Sequence, residues 1–157
     1  MKKMKRKVVV VTFFLLFIGL GSTFAHANTL EKRWGIGLGN PYLSMKYHDS
    51  ARTAYEIRAA FGTGINVYSA RFYQNSELKG KSVTFWGLEA GSIAFTKEDI
   101  GGSGYFAMLF FGLERFITKK MTLSFDIGPA YISLSSDDIS VEGIELVYNL
   151  GINFYFN

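Results

Sequence analysis

Residues 144–156 read Ile144-Glu145-Leu146-Val147-Tyr148-Asn149-Leu150-Gly151-Ile152-Asn153-Phe154-Tyr155-Phe156, and the period of this stretch decides the fold class. Ile144, Leu146, Tyr148, Leu150, Ile152, Phe154 and Phe156 fall on one parity and are all apolar. Glu145, Val147, Asn149, Gly151, Asn153 and Tyr155 fall on the other. Successive side chains of an extended strand point to opposite faces, so this is a strand with one apolar and one largely polar face. The segment before it repeats the pattern. Met121, Leu123, Phe125, Ile127, Pro129 and Tyr131 share one face, while Thr122, Ser124, Asp126, Gly128 and Ala130 share the other.

Working outward, the same alternation marks eight strands, at 32–39, 42–48, 53–62, 65–74, 82–96, 104–117, 121–134 and 143–156. The breaks between them carry turn residues: Asn40-Pro41, Asp49-Ser50, Gly62-Thr63-Gly64, Asn75 to Gly80, Lys97 to Ser103, Thr118-Lys119-Lys120, and Ser135 to Ser140. Gly101-Gly102-Ser103-Gly104 reads as a flexible loop by composition. Short sequential connections favour antiparallel neighbours, and an even number of strands can close on itself and remove its edges. The predicted fold is all-β, an eight-stranded antiparallel up-and-down barrel.

Alternation does not say which face looks outward. Three features favour an apolar exterior and hence a transmembrane barrel. The polar face carries Gly35, Gly37, Gly87, Gly91, Gly112, Gly128 and Gly151. Glycine weakens a strand, but it leaves room inside a narrow eight-stranded barrel. The same face carries Lys46, Glu56, Arg58, Arg71, Glu89, Glu114, Asp126 and Glu145 within strand interiors. The opposite face carries Trp34, Leu43, Tyr47, Tyr55, Phe72, Trp86, Leu88, Phe111, Leu113, Phe125, Tyr148 and Phe154. Tyrosine and tryptophan join an apolar body to a polar tip and suit a membrane interface. Strands of about ten residues match a tilted membrane strand, although the first two are shorter. A soluble periplasmic, lipocalin-like ligand-binding barrel is the alternative, and it inverts every facing.

The composition bounds the rest. The chain has 157 residues, 48% of them hydrophobic and 17% aromatic, which excludes a disordered chain. It has no cysteine, which excludes disulfide staples and thiolate metal sites. The formal charge of +4 points toward nucleic acid only until its source is located. Lys2, Lys3, Lys5, Arg6 and Lys7 supply five of the 17 basic residues, and the first acidic residue is Glu31. Beyond residue 27 there remain 12 basic against 13 acidic residues, so no nucleic-acid partner is expected. A basic start, an apolar run from Val8 to Leu20 and Ala25-His26-Ala27 form the three parts of a secretory signal. The expected organisation is a cleavable signal peptide over residues 1–27 and one barrel domain over 28–157.

Asn149 to Phe156 resembles the insertion signal of bacterial outer-membrane barrels, polar-X-Gly-X-X-aromatic-X-aromatic, with Gly151, Phe154 and Phe156 at its fixed positions and Asn157 one residue beyond. Together with the signal and the eight strands, the mature chain resembles the small eight-stranded outer-membrane barrels of the OmpA/OmpX type. The resemblance implies an outer-membrane location. It implies outer-membrane lipid and lipopolysaccharide as surroundings, and the barrel assembly machinery as a partner during biogenesis.

Function is less legible. The eight lumen charges fill and close the interior in one reading, giving a structural barrel. In the other they line a narrow ion path whose acidic excess favours cations. His48-Asp49-Ser50 resembles, over three residues, the His-X-Ser pair of outer-membrane lipid A deacylases. Ser50 would then be the nucleophile and His48 its base, with Glu56 or Glu145 as an orienting acid. Asp49-Ser50 is also an ordinary turn pair, and the topology puts this turn on the periplasmic side, away from lipid A. A palmitoyl-transfer enzyme would need an amphipathic helix longer than Asn28 to Arg33 allows. Glu98-Asp99 and Asp137-Asp138 are solvated turn carboxylates or cation bridges to lipopolysaccharide. Gly35-X-Gly37-X-Gly39 alternates within a strand with no helix after it, so it is no phosphate loop. The expectation is a non-enzymatic barrel with no cofactor and no metal site.

Overall fold

The computed structural model describes residues 30–76, 79–97, 100–136 and 140–156. The segment read as a signal peptide and the acidic pairs Glu98-Asp99 and Asp137-Asp138 lie outside the described residues. Eight strands follow one another: β1 (Trp34–Gly39), β2 (Tyr42–His48), β3 (Thr53–Gly62), β4 (Ile65–Asn75), β5 (Ser82–Lys97), β6 (Ile100–Phe116), β7 (Met121–Ser136) and β8 (Ser140–Phe156). Each pairs antiparallel with the next, and β1 pairs with β8, so the sheet closes as an up-and-down barrel. This is the architecture that the alternation predicts.

β5 to β8 run longer than the pattern indicates. Lys97 pairs with Ile100, and Ser135 with Ser140, so within the stretches read as loops at 97–103 and 135–140 the described residues 97, 100–103, 135, 136 and 140 are strand. The glycine run 101–104 belongs to β6, paired against β5. The ladder overrides composition here. At Gly102 the space that a side chain would take is filled by the ring of its cross-strand partner Phe95.

The register fixes the tilt. A path of paired residues starts at Trp34 and passes through Tyr47, Tyr55, Phe72, Leu88 and Leu109. It crosses to Pro129, in register between the pairs Met108–Ala130 and Phe111–Ile127, and arrives at Leu146. Trp34 itself pairs with Phe156, ten residues further along β8. At about 3.3 Å per residue and about 4.8 Å between strands, that stagger tilts the strands by roughly 40°.

The wall is uneven in height. One rim, here the lower, carries residues 30–33 and the turns at 49–52 and 117–120. With this tilt the β1–β2 hairpin ends about 15 Å above it, β3 ends about 24 Å above it, and β5 to β8 reach about 35 Å. β8 pairs with β1 only from Gly151 to Phe156, so among the described residues Ser140 to Leu150 pair with β7 alone, apart from one bond from Asn40 N–H to the Leu150 carbonyl.

Most glycines of the inner face serve the packing of rings. Gly35, Gly87, Gly91 and Gly112 each stand directly across from an aromatic residue, namely Tyr155, Phe110, Phe106 and Phe85. An added Cβ at any of them would collide with that ring. Aromatic side chains thus lie across the backbone that the glycines leave bare. Gly128 differs because the nearest atoms it would meet are all backbone. A Cβ there would stand 2.8 Å from the Cα of Phe110 and closer still to the Leu109 carbonyl oxygen. The β6–β7 ladder is already weakened beside it, since Pro129 has no N–H to donate. Gly128→Val is expected to lower the fraction that folds to a heat-modifiable barrel severalfold. A folded yield equal to that of the parent would contradict this account.

Candidate functional site

On the inner face of the barrel charged side chains of several strands converge. Lys46, Glu56, Arg58, Arg71, Glu89, Glu114 and Asp126 are all buried there, carried by β2 to β7. Alternation puts them inside, and the closed register stacks them into two levels.

In the lower level, Lys46 Nζ lies 2.7 Å from Glu114 Oε2. The other carboxylate oxygen of Glu114 accepts from Thr122 Oγ1 at 2.5 Å, Asn153 Nδ2 at 3.0 Å and the Tyr155 hydroxyl at 2.5 Å. Lys46 also sits over the ring of Tyr73, 4.1 Å from its centroid. Each charge is therefore met by an opposite charge and further polar or π partners, which a buried ion requires.

Arg71 organises the upper level. Its Nη1 and Nη2 donate to Asp126 at 2.9 and 2.7 Å, its Nε lies 2.8 Å from Glu89, and its plane stacks 3.7 Å above Phe110. The Tyr73 hydroxyl accepts from Arg71 Nη1 at 2.8 Å and from Arg58 Nη2 at 3.3 Å, and donates to Glu56. Arg58 Nε lies 3.1 Å from Glu56, and its guanidinium stacks on Tyr42. Asn149 donates to Asp126 at 2.8 Å, and Ser69 to Glu89 at 2.6 Å. Ion pairs thus tie β3, β4, β5 and β7 across the channel and fill its middle.

Glu145 does not join this network. It keeps the inner parity, opposite Ala130, but it is exposed. It stands on the part of β8 that rises beyond its pairing with β1, where no neighbouring strand flanks it on that side among the described residues.

His48 and Ser50 have different partners. His48 is buried at the end of β2, with Nε2 3.2 Å from the Tyr155 hydroxyl and Nδ1 3.5 Å from Asn75 Nδ2. Ser50 Oγ accepts from the backbone N–H groups of Thr53 at 3.0 Å and Arg52 at 3.3 Å, which is the geometry of a serine-capped turn. Glu56, one suggested orienting acid, is engaged by Arg58 and Tyr73, and the other, Glu145, lies near the opposite rim. Among the described residues no group of three or more His, Asp or Glu side chains is placed to hold a metal ion.

Counting charges and glycines misses half of the interior. Tyr42, Tyr73, Phe85, Phe110 and Tyr155 are buried inside; the first four form the surfaces on which Lys46, Arg58 and Arg71 rest, and Tyr155 meets His48 and Glu114. Their parity with the charges was readable in the sequence, since each is an even number of positions from a charged or glycine residue on its own strand. Above the upper ion pairs the inner face changes character. A cavity of about 220 Å³ is walled by Val67, Ile93, Phe106, Met108, Ile132 and Val147, with Arg58, Glu89 and Asn149 also lining it.

No family model matches the chain, and no curated protein matches it. Among solved structures it is similar to the N-terminal β-barrel domain of Pseudomonas aeruginosa OprF, at 14% identity over 79% of this chain and 94% of that one, with a TM-score of 0.46. It is also similar to KdgM porin, at 8% identity over 80% of this chain and 98% of that one, with a TM-score of 0.32. The closed pairing register, independent of these distant likenesses, establishes the architecture.

Proposed function

We propose that the protein is an integral outer-membrane barrel, non-enzymatic, whose lumen is plugged by its own side chains and whose role is structural. One observation carries this reading: the charges lie inside, and the large apolar side chains lie outside. Ile57, Leu88, Phe111, Ile144 and Tyr148 are all more than half exposed, while Arg71, Glu114 and Asp126 are almost fully buried. A soluble barrel would need the reverse. Most of the exposed aromatics also fall into two belts, with Tyr148 between them. Trp34, Tyr55, Trp86 and Phe154 ring the lower wall, and Phe61, Tyr68, Tyr105 and Tyr131 ring it about 20 Å higher, close to the girdle spacing of an outer-membrane barrel. The partners that fit are outer-membrane lipid and lipopolysaccharide.

Two measurements test the proposal. Cell fractionation should recover the protein in the outer membrane, with a gel mobility that changes on boiling. Planar-bilayer recording of the purified barrel should show no steady open-channel current, because the Arg71 and Lys46 levels span the lumen. Recovery in the soluble periplasmic fraction would overturn the membrane reading. A stable ion current would overturn the plug and favour a narrow pore.

The resemblance of the last strand to an assembly signal leads to a further expectation. Phe156 stands opposite Trp34 at the closing seam with its ring half exposed. Phe156→Ala is expected to slow assembly severalfold in a pulse-chase measurement of heat-modifiable protein. An unchanged rate would remove Phe156 from the signal.

A further inference from the structure

We propose that the upper lumen is a binding pocket for a single aliphatic chain, reached sideways from the outer leaflet through the gap above the β1–β2 hairpin. The proposal rests on the outer-membrane reading.

The cavity and the gap share their borders. Pro41 and Tyr42, at the end of the β1–β2 hairpin, line the cavity as its sill. Ala60 of β3 lines it on one side of the gap, and Val147 and Asn149 of β8 on the other. Above the sill the strands flanking the gap lose their neighbours. β2 pairs with β3 only as far as Ala60, and β1 pairs with β8 only as far as Gly151. Among the described residues the missing wall is two strands wide, which puts β8 and β3 about 14 Å apart at their backbones. It begins about 15 Å above the lower rim, inside an apolar band about 25 Å tall, and therefore opens at the level of the outer leaflet. The sill presents a proline, which has no N–H to leave unpaired in that medium.

The chemistry of the pocket selects the occupant. Its walls are aliphatic and aromatic, unlike the charged lumen beneath. Its charged members are already matched, since Arg58 is held by Glu56 and Glu89 by Arg71 and Ser69. The floor therefore demands no counter-ion, and a ligand gains by burying methylene groups alone. A cavity of about 220 Å³ is too small for a drug-sized molecule, but it suits one narrow chain. That chain is the tail of a membrane lipid or of a free single-chain amphiphile.

The test is photolabelling of the wild-type barrel in phosphatidylcholine vesicles, with labelled residues mapped by mass spectrometry. One arm uses a phosphatidylcholine bearing a diazirine near the end of one chain, and the other uses a diazirine fatty acid. The proposal expects adducts on inward residues such as Phe106, Ile132 and Val147, in addition to outward residues such as Leu88 and Ile57. Inward adducts in the phosphatidylcholine arm identify leaflet lipid as the source, and inward adducts in the fatty-acid arm alone identify a free amphiphile. Adducts confined to outward residues overturn the pocket. Absence of adducts even at Leu88 and Ile57 overturns the membrane reading on which it rests. Ala60→Trp should cut inward labelling about tenfold and leave outward labelling unchanged, and Val147→Trp, on the other side of the gap, should do the same. If heat-modifiable forms of both variants keep full inward labelling, the sideways route is wrong.

Discussion

Arg71→Ala is expected to be the most damaging single change in the lumen. Arg71 bonds both oxygens of Asp126, lies 2.8 Å from Glu89, donates to Tyr73 and stacks on Phe110. Its removal leaves two buried carboxylates without their cation. Stripping one partner from a buried ionic group costs about 3–5 kcal/mol, against about 0–1 kcal/mol for an exposed pair. The expected result is a clear drop in the urea midpoint for unfolding from lipid vesicles, with the barrel opening to water at that level. Arg71→Lys should recover only part of the loss, because an ammonium does not reproduce the two-pronged geometry. A midpoint within error of the parent for Arg71→Ala would mean that the upper carboxylates are not held as described.

The lower pair should respond asymmetrically. Lys46→Met leaves Glu114 with three donors, from Thr122, Asn153 and Tyr155. Glu114→Gln takes away the counter-charge of Lys46 and leaves it at most a neutral amide oxygen and the faces of Tyr73 and Phe85 among those described. The uncompensated cation is the worse outcome, so Glu114→Gln should cost more than Lys46→Met, at about 3–5 kcal/mol. The double variant should be more stable than the sum of the two predicts, by about 1–3 kcal/mol, since each single change spoils the same contact. Unfolding midpoints of the four proteins in one lipid decide it. Strict additivity would show that Lys46 and Glu114 do not depend on each other.

The sequence announces some of this architecture far more clearly than the rest. The alternation from Ile144 to Phe156, repeated in Met121 to Tyr131, is enough for strand identity, because a period of two survives wherever the faces differ in polarity; facing rests on where the glycines, charges and aromatics fall, and closure on an even number of short-linked strands. The charges could be assigned to the lumen on the same ground. The upper half of the barrel resists that reading. Around Ile93, Phe106 and Ile132 both faces of the sheet are apolar, so the pattern loses contrast where the cavity lies. Glu145 shows a related limit. Parity puts it inside, but exposure depends on whether a neighbouring strand rises as high, and that follows from the stagger of the whole ring. The ring-over-glycine pairs needed cross-strand register, which one strand alone does not carry.

The closing seam has a consequence for how the cylinder moves. β1 and β8 share six residue pairs, Trp34–Phe156 to Gly39–Gly151, whereas β7 and β8 pair from Met121–Phe154 to Ser135–Ser140. The two sides of the seam also lie at opposite ends of the described chain, so joining them closes the longest loop in the molecule. Short pairing and long closure make this the cheapest line along which to part the ring. The same line runs up into the gap above the β1–β2 hairpin. The barrel is therefore built like a cuff fastened only at its lower hem: firm where the ions cross it, and able to breathe along the one edge that rises above the β1–β2 hairpin.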